Sequence, residues 1–597
     1  MSLLVQKFGG TSVADAEKIL AAARRAIQAH QRGQQVLVVV SARGHTTDEL
    51  IEMAKEISAY PPAREMDMLL STGEQISVAL MAMAIQALGV PAISFTGAQI
   101  GLVTDSFHTK ARIRNISTER VVQALDEGKI VIVAGFQGID ENYNITTLGR
   151  GGSDTTAVAL AAVLGAEACE IYTDVDGVYT TDPRVVPEAR KIDRISYDEM
   201  LELASLGAGV MHSRSIEFAK KYDVPIHVRS SFSDAPGTWI IAEADARRLG
   251  VTVTGAALAK DEARITILGA PDRPGVVHSL FHTIAASNIV VDMIVQNVAT
   301  AGTTEVSFTV ATGDLAETIL AAETAAKAIG AEAITHKAEA AKVSVVGLGM
   351  RTHTGVATMM FEALAQAGIN IEMITTSEIK ISVLVDRSLA TDALRAVHRA
   401  FGLESWDNAA EAPYSTERSR TRSKRQTADA VNGISPALPA PGMEELVISG
   451  VELDESQGRV TLFDVPDEPG YAGHVFRRIA EAGVFVDMIV QNISTSGKTH
   501  LSFTVPSNMA EAAAKAAKSE GPGVVSIEPR IAKLSVLGVG MRTHTGVATR
   551  MFGALAAKGI NIALINTSEV RINVATDITR GREALQCLRE TFALPEE

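Results

Sequence analysis

The chain has 597 residues, 46% of them hydrophobic, which is enough for several separate cores rather than one. Its formal charge of -15, from 70 acidic against 55 basic side chains, excludes broad electrostatic attraction to nucleic acid or to an acidic membrane surface. The two cysteines, Cys169 and Cys587, are too few for a disulfide framework and fit a reducing compartment. Met1 leads directly into Leu3-Leu4-Val5-Gln6-Lys7, without the basic and then apolar stretch of a secretory leader. Runs such as Val36–Val40 are too short to cross a bilayer, so a soluble, cytoplasmic protein is expected.

From residue 1 to about 245, short β-rich runs such as Val36–Val40 and Lys129–Val133 alternate with longer helical patterns. That alternation predicts an α/β domain with a mostly parallel sheet covered on both faces. From residue 251 the texture becomes compact. A strand at 263–268, a helix at 275–287, strands at 289–298 and 304–310, a helix at 315–329 and a closing strand give a βαββαβ unit over 251–340. A second such unit covers 341–404. The pair then recurs: Val291-Asp292-Met293-Ile294-Val295-Gln296-Asn297 returns as Val486–Asn492, and Gly349–Thr358 returns as Gly540–Thr549. A duplicated two-unit module follows, with the second copy at 446–531 and 532–597. Between the copies, residues 405–445 lose apolar periodicity and read as a flexible linker. Its basic cluster, Arg418 to Arg425, is read as a solvated charge run.

Three glycine-punctuated segments carry the chemistry. Lys7-Phe8-Gly9-Gly10-Thr11-Ser12 lies between the first strand and the helix after Asp15. Adjacent glycines admit an anion to backbone N–H groups, the helix start adds positive potential and Lys7 adds a mobile cation. It is not a Walker loop, whose spacing is absent. The second segment, Thr146-Thr147-Leu148-Gly149-Arg150-Gly151-Gly152-Ser153-Asp154, offers Arg150 for a bidentate grip on a carboxylate, and Ser153 or Asp154 as a helix cap or cation ligand. The third, Tyr172 to Arg184, faintly resembles a calcium loop at Asp174, Asp176 and Gly177. Val178 stands where another oxygen ligand belongs, so that reading is rejected. His353 and His544 could be metal ligands, but neither has a second histidine at ligand spacing, and both read as loop residues.

Taken together, Lys7–Asp15, Glu65–Glu74, Gly149–Thr156 and Tyr172–Arg184 resemble the signatures of aspartate kinases, and the four C-terminal units resemble ACT domains. The resemblance implies a three-layer αβα amino-acid-kinase fold followed by four ferredoxin-like βαββαβ ACT domains. It implies phosphoryl transfer from ATP, with Mg²⁺, to the side-chain carboxylate of L-aspartate, in lysine, threonine and methionine biosynthesis. Carried over by position, Lys7, Gly9, Gly10 and Ser41, with Phe8 in the same string, meet the ATP phosphates. Thr173, Asp174, Tyr179 and Arg184 form the nucleotide pocket, while Thr47, Glu74, Arg150 and Ser153 hold aspartate. Lys7, Glu74, Arg150 and Asp154 form the catalytic set, and no resident metal site is expected in the protein itself. Where many relatives carry a lysine this chain has Gly209, for which Arg214 is expected to compensate. N-acetylglutamate and glutamate kinases are the nearest rival readings. A non-catalytic amino-acid sensor is disfavoured by the intact Lys7, Arg150 and Asp154. Fusion to a homoserine dehydrogenase is disfavoured by the lack of a dinucleotide fingerprint after the kinase.

In the first unit of each pair a Pro-Asp-x-Pro-Gly turn precedes the helix, at 271–275 and 466–470. Its helix-end N–H groups suit an amino-acid carboxylate, and Asp272 or Asp467 suits an ammonium. Gly275, Gln296 and Asn297, matched by Gly470, Gln491 and Asn492, complete two candidate effector sites for lysine, threonine or both. The units are expected to pair edge to edge, within a chain or between chains of a homodimer or higher homo-oligomer.

Overall fold

The computed structural model describes residues 1–205, 210–246, 251–287, 289–296, 302–405, 442–444, 447–493, 497–518, 524–539, 541 and 546–594. Gly209, Asn297, His544 and the Arg418–Arg425 cluster lie outside these, as does the side chain of Asn492.

The N-terminal domain is built on an eight-stranded sheet in the order 194–196, 238–241, 226–230, 168–173, 3–8, 35–40, 130–134, 92–95. All its neighbours run parallel except Ile226–Ser230 against Thr238–Ile241. The apolar runs are continuous because both faces are covered. Val5, Leu37, Val39, Val131 and Val133 pack toward the helix Gly152–Val163. Their alternates, Leu4, Val36, Val38, Val40 and Ile132, pack toward the helices Ala16–Gln31 and Ala63–Ala87. A smaller sheet, ordered 113–116, 102–104, 137–139, 145–147, sits beside it, and its last strand runs into the Gly149 loop. Among the described residues, Ala63–Ala87 is the one helix long and apolar enough to span a bilayer. It carries buried Asp67 and Glu74 and packs on this core.

The second half forms one continuous fourteen-stranded sheet. The long strands Gly255–Pro271 and Ala333–Val346 pair antiparallel along most of their length and join the first two units. Of the strand expected over 289–298, the described part holds the ladder only at Ile294–Gln296. Just upstream, the Asp292 carboxylate pairs with buried Lys342. The pairing of units occurs within the chain. Ile294–Gln296 of the first unit abuts Leu564–Thr567 of the fourth, and Met373–Thr376 of the second abuts Ile489–Ile493 of the third. Apolar cores cross both seams, with the Phe281 and Phe552 rings 5.9 Å apart in one and Phe361 and Phe476 5.6 Å apart in the other.

Candidate active site

The glycine loops open at the carboxyl ends of the central parallel strands, where open α/β sheets leave a crevice. Lys7 stands one residue from the end of Leu3–Phe8, and its Nζ lies 2.6 Å from Asp154 Oδ1, with the two side chains only 11% and 13% exposed. The Gly9 amide donates to the Tyr172 carbonyl (3.2 Å), and that of Ser41 donates to the Phe8 carbonyl (3.1 Å). A Cβ on Gly10 would come within 2.8 Å of the Ala42 carbonyl oxygen. Only glycine therefore lets the first loop lie flat on the segment 41–44.

Glu74, on the helix Ala63–Ala87, is buried beneath this segment. Its Oε1 accepts from the Ala42 amide (3.0 Å), while Oε2 has no hydrogen-bond partner among the described residues. Burial dominates and pushes its pKa up to about 7, against the lowering effect of the Ala42 bond. A buried carboxylate with an orphaned oxygen fits a cationic group of a ligand. Thr47, half-buried, lies in the first turn of the helix Thr46–Ile57, which begins just after Gly44, whose amide donates to Gly10 (3.0 Å).

The second loop turns on two left-handed glycines, Gly149 (φ +76°) and Gly151 (φ +75°). A side chain on Gly151 would strike His212, and one on Gly149 would strike the Thr109 carbonyl. Arg150 between them is exposed and makes no ion pair among the described residues. The cap of the following helix is Gly151, with no side-chain bond, so the expected capping by Ser153 or Asp154 does not occur. Ser153 is instead buried against Gly135, and Asp154 is committed to Lys7.

On the other side of the first strand, Thr173 donates to Asp174 (3.0 Å), and Asp174 is exposed. The Tyr179 hydroxyl donates to Asp176 (2.8 Å), and burial, followed by that carboxylate, pushes the phenol up to about 12. Arg184 forks onto Asp182 (3.0 and 2.8 Å) and points outward, 85% exposed. Thr173 and Asp174 thus adjoin the first glycine loop, whereas Arg184 faces solvent from a carboxylate of its own. Arg214 does not serve as the expected substitute cation. It is bound to Glu444 and to the carbonyls of Leu148 and Ala111, beside the loop of Gly149 and Gly151.

Three residues around the crevice escaped the sequence reading. Asp67, fully buried, accepts from the Thr109 amide (3.0 Å) and the Thr147 hydroxyl (2.5 Å) and meets His108 Nδ1 (2.7 Å), so it pins the turn at 108–109 to the strand Ile145–Thr147 that leads to Gly149. Ser231 holds the Ser12 hydroxyl (2.5 Å) and donates its amide to Thr173 (2.8 Å). Thr180, beside Tyr179, is bonded to His398 Nε2 (3.0 Å) and ties the third loop to the second regulatory unit.

The candidate effector residues fall at the seams between units. Asp272 accepts from Asn561 (2.8 Å), and Gln296 donates to the Ile562 carbonyl (2.9 Å). At the other seam Asp467 accepts from Asn370 (2.9 Å), and Gln491 donates to the Ile371 carbonyl (3.1 Å). Gly275 and Gly470 (φ +93° and +98°) cap the adjoining helices and face Ala556 and Ala365 across the seams. The missed partners belong to a repeated string, Gly-Ile-Asn-Ile at 368–371 and 559–562.

Residues 2–230 match the amino acid kinase family, residues 264–328 the ACT domain family, and residues 343–401, 464–520 and 534–592 a further ACT domain family. Fold and crevice therefore define an amino acid kinase carrying ACT domains. The chain is similar to the aspartate kinase of Pseudomonas putida, 51% identical over 405 residues that make up 68% of this chain and 98% of that protein. It is 50% identical to the aspartokinase of Thermus thermophilus over 406 residues, 68% of this chain and all of that one. The aspartate kinase of Synechocystis superposes over 99% of this chain and 98% of its own, with a TM-score of 0.51 and 39% identity. Escherichia coli aspartokinase III in complex with aspartate and ADP superposes over 67% of this chain and 99% of its own, with a TM-score of 0.58 and 26% identity. The chain belongs to the aspartate kinase family.

Proposed function

We propose that this kinase transfers the γ-phosphoryl group of ATP to the side-chain carboxylate of L-aspartate, giving 4-phospho-L-aspartate for lysine, threonine and methionine synthesis. Residues 1–245 act as the catalytic domain, and the units at 251–340, 341–404, 446–531 and 532–597 act as its regulators, with 405–445 linking the two pairs. The observation that carries the reading is the company kept at the crevice: the Lys7–Asp154 pair, the unpaired Arg150 and the orphaned buried oxygen of Glu74. Arg150 grips the α-carboxylate in a two-point fork, and Glu74 receives the ammonium, with Thr47 and Ser153 alongside. The attacking group is a carboxylate with a pKa of about 3.9, ionised at neutral pH, so no general base is required.

Gly9, Gly10 and Ser41 lie where a triphosphate would pass beside Lys7, and no side chain would be allowed at Gly10. When bound, MgATP would supply the phosphoryl group, and Asp154 or Asp174 would stand by its metal. Lys7 neutralises developing charge while Asp154 fixes its position, and Thr173, Asp174, Tyr179 and Arg184 flank the nucleotide. Lysine, threonine or both act at the seams through Asp272, Gly275, Gln296 and Asn297 and through Asp467, Gly470, Gln491 and Asn492. The aspartokinase III structure with lysine and aspartate supports an amino-acid effector. A homo-oligomer through the regulatory sheet belongs to the same reading, and its terminal strand Val524–Glu528 has exposed Val524 and Ile527 on a free edge. Initial-rate kinetics test the site. Arg150→Ala should raise the aspartate KM by roughly fiftyfold, the loss of a charged two-point hydrogen bond, and leave the ATP KM nearly unchanged. Equal effects on both substrates would refute the assignment.

A further inference from the structure

The small sheet that delivers Arg150 is extended by chain from more than 300 positions away. Along its outer strand Ile113–Ile116, the Met443 amide donates to the Arg114 carbonyl (3.1 Å) and the Glu444 amide to the Ile113 carbonyl (3.1 Å). In return the Ile113 amide donates to Glu444 Oε2 (2.7 Å). The Met443 carbonyl accepts from Lys221 Nζ (3.0 Å) and the Tyr222 hydroxyl (3.1 Å). Residues 443 and 444, at the end of the expected linker, are therefore docked on the catalytic domain at several points.

The docked carboxylate meets a buried cation. Arg214 forks onto Glu444, Nε to Oε1 (2.9 Å) and Nη2 to Oε2, and the two side chains are only 14% and 7% exposed. The same guanidinium donates from Nη1 to the Leu148 carbonyl and from Nη2 to the Ala111 carbonyl. Leu148 directly precedes Gly149-Arg150, and the Ala111 amide donates to Thr147 (2.9 Å). One planar group thus joins the incoming carboxylate to the two strands that aim the Arg150 loop. Without the carboxylate, a desolvated cation would be left with carbonyl partners alone and would turn toward water, releasing Leu148.

We propose that Glu444, carried by the segment that enters the second regulatory pair, is a positioning residue for the Arg150 loop and sets the affinity for the amino-acid substrate. The inference rests on the reading of Arg150 as the clamp for the substrate α-carboxylate. It also gives that pair a mechanical hold on the crevice, because Glu444 lies three positions before Val447, where the strand Val447–Asp454, paired antiparallel with Ile531–Val539, begins.

The test uses the full-length kinase with Glu444→Ala, the isosteric Glu444→Gln and Arg150→Ala, measuring kcat and both KM values. Glu444→Ala should raise the aspartate KM about tenfold with kcat and the ATP KM within about twofold, the signature of lost substrate binding alone. Glu444→Gln, which keeps the shape and loses the charge, should give an intermediate value, and it carries the test should Glu444→Ala not fold. An unchanged aspartate KM in both Glu444 variants, beside a raised one in Arg150→Ala, overturns this proposal and leaves the reading of Arg150 standing. A fall in kcat with parallel changes in both KM values shows a merely structural role and also overturns it. An unchanged aspartate KM in Arg150→Ala removes the reading of Arg150 and this proposal with it.

Discussion

The two seams of the regulatory sheet make the same hydrogen bonds and differ in how they pack. Asp272 with Asn561 and Gln296 with Ile562 repeat as Asp467 with Asn370 and Gln491 with Ile371. Between the helices, however, large and small residues are exchanged. His278 lies over Gly553 in the seam of units one and four, whereas Glu362 lies over Gly473 in the seam of units two and three. His278 and Gly473 hold matching places in their units, as do Glu362 and Gly553. Pairing units one and two in this way would force His278 onto Glu362, and pairing three and four would leave a gap between two glycines. Duplication gave the two seams one set of hydrogen bonds, and complementary volume tells each unit which neighbour to take.

The largest effect is expected where the matching between copies fails altogether. Lys380 and Arg571 hold equivalent places, yet Lys380 is buried against Glu202 of the catalytic domain (2.6 Å; 4% and 0% exposed), whereas Arg571 reaches Glu378 and Glu452 nearer the surface. Lys380→Ala strands a carboxyl whose pKa burial already raises, and should cost about 3–5 kcal/mol in denaturant unfolding. Arg571→Ala should cost ~1 kcal/mol or less. Similar losses in the two variants would mean that the copies are anchored alike.

Asp272→Ala and Asp467→Ala separate the seams by ligand. Each should weaken binding at its own seam by roughly tenfold to a hundredfold, the cost of a lost charged hydrogen bond, as read by calorimetry with lysine and with threonine. With Arg273 in one turn and Glu468 in the other, the two seams are expected to differ in which amino acid they prefer. Unchanged affinity for both amino acids in both variants would reject the seams as binding sites.

Titration distinguishes the crevice from either seam. Glu74 protonates near pH 7, so the aspartate KM should rise as the pH falls below that value, by up to tenfold per unit, and Glu74→Gln should flatten the profile. The sign for stability is the reverse of the usual carboxylate case. The unfolded carboxyl ionises near 4.5 and the folded one near 7, so burial of Glu74 costs stability increasingly as pH rises through that window. Glu74→Gln should therefore stabilise the protein by roughly 1–3 kcal/mol above pH 7, and a loss there would contradict the burial argument. The smallest effect probes the seams directly. Gly473→Ala meets ordinary contact at 3.5 Å, while Gly553→Ala would place its Cβ 2.9 Å from the His278 ring. The first should gain about 0.5 kcal/mol from helix propensity, and the second should lose about 1 kcal/mol through overpacking.

The parts of this arrangement legible in the sequence were those written locally. Lys7-Phe8-Gly9-Gly10 and Gly149-Arg150-Gly151-Gly152 announce close backbone approach because only glycine tolerates it, and the repeated ten-residue strings reveal the duplication. Partner choice was not legible, since it depends on residues such as Asp272 and Asn561, 289 positions apart. Arg214 looked like a spare cation near Gly209 because its partner, Glu444, lies 230 residues downstream. Asp67 was passed over within the Glu65–Glu74 string, since its three partners come from one distant turn and one strand. Asn370 and Asn561 did leave a signal, a repeated Gly-Ile-Asn-Ile, but an asparagine after a helix reads first as a turn residue.

The most direct test of the account is to trap the product. The purified kinase is incubated with ATP, magnesium and L-aspartate in the presence of hydroxylamine, with and without lysine and threonine. The account predicts ATP-dependent aspartyl hydroxamate, abolished in Lys7→Ala and reduced by at least one of the two effectors. No hydroxamate from L-aspartate under any effector condition would contradict it.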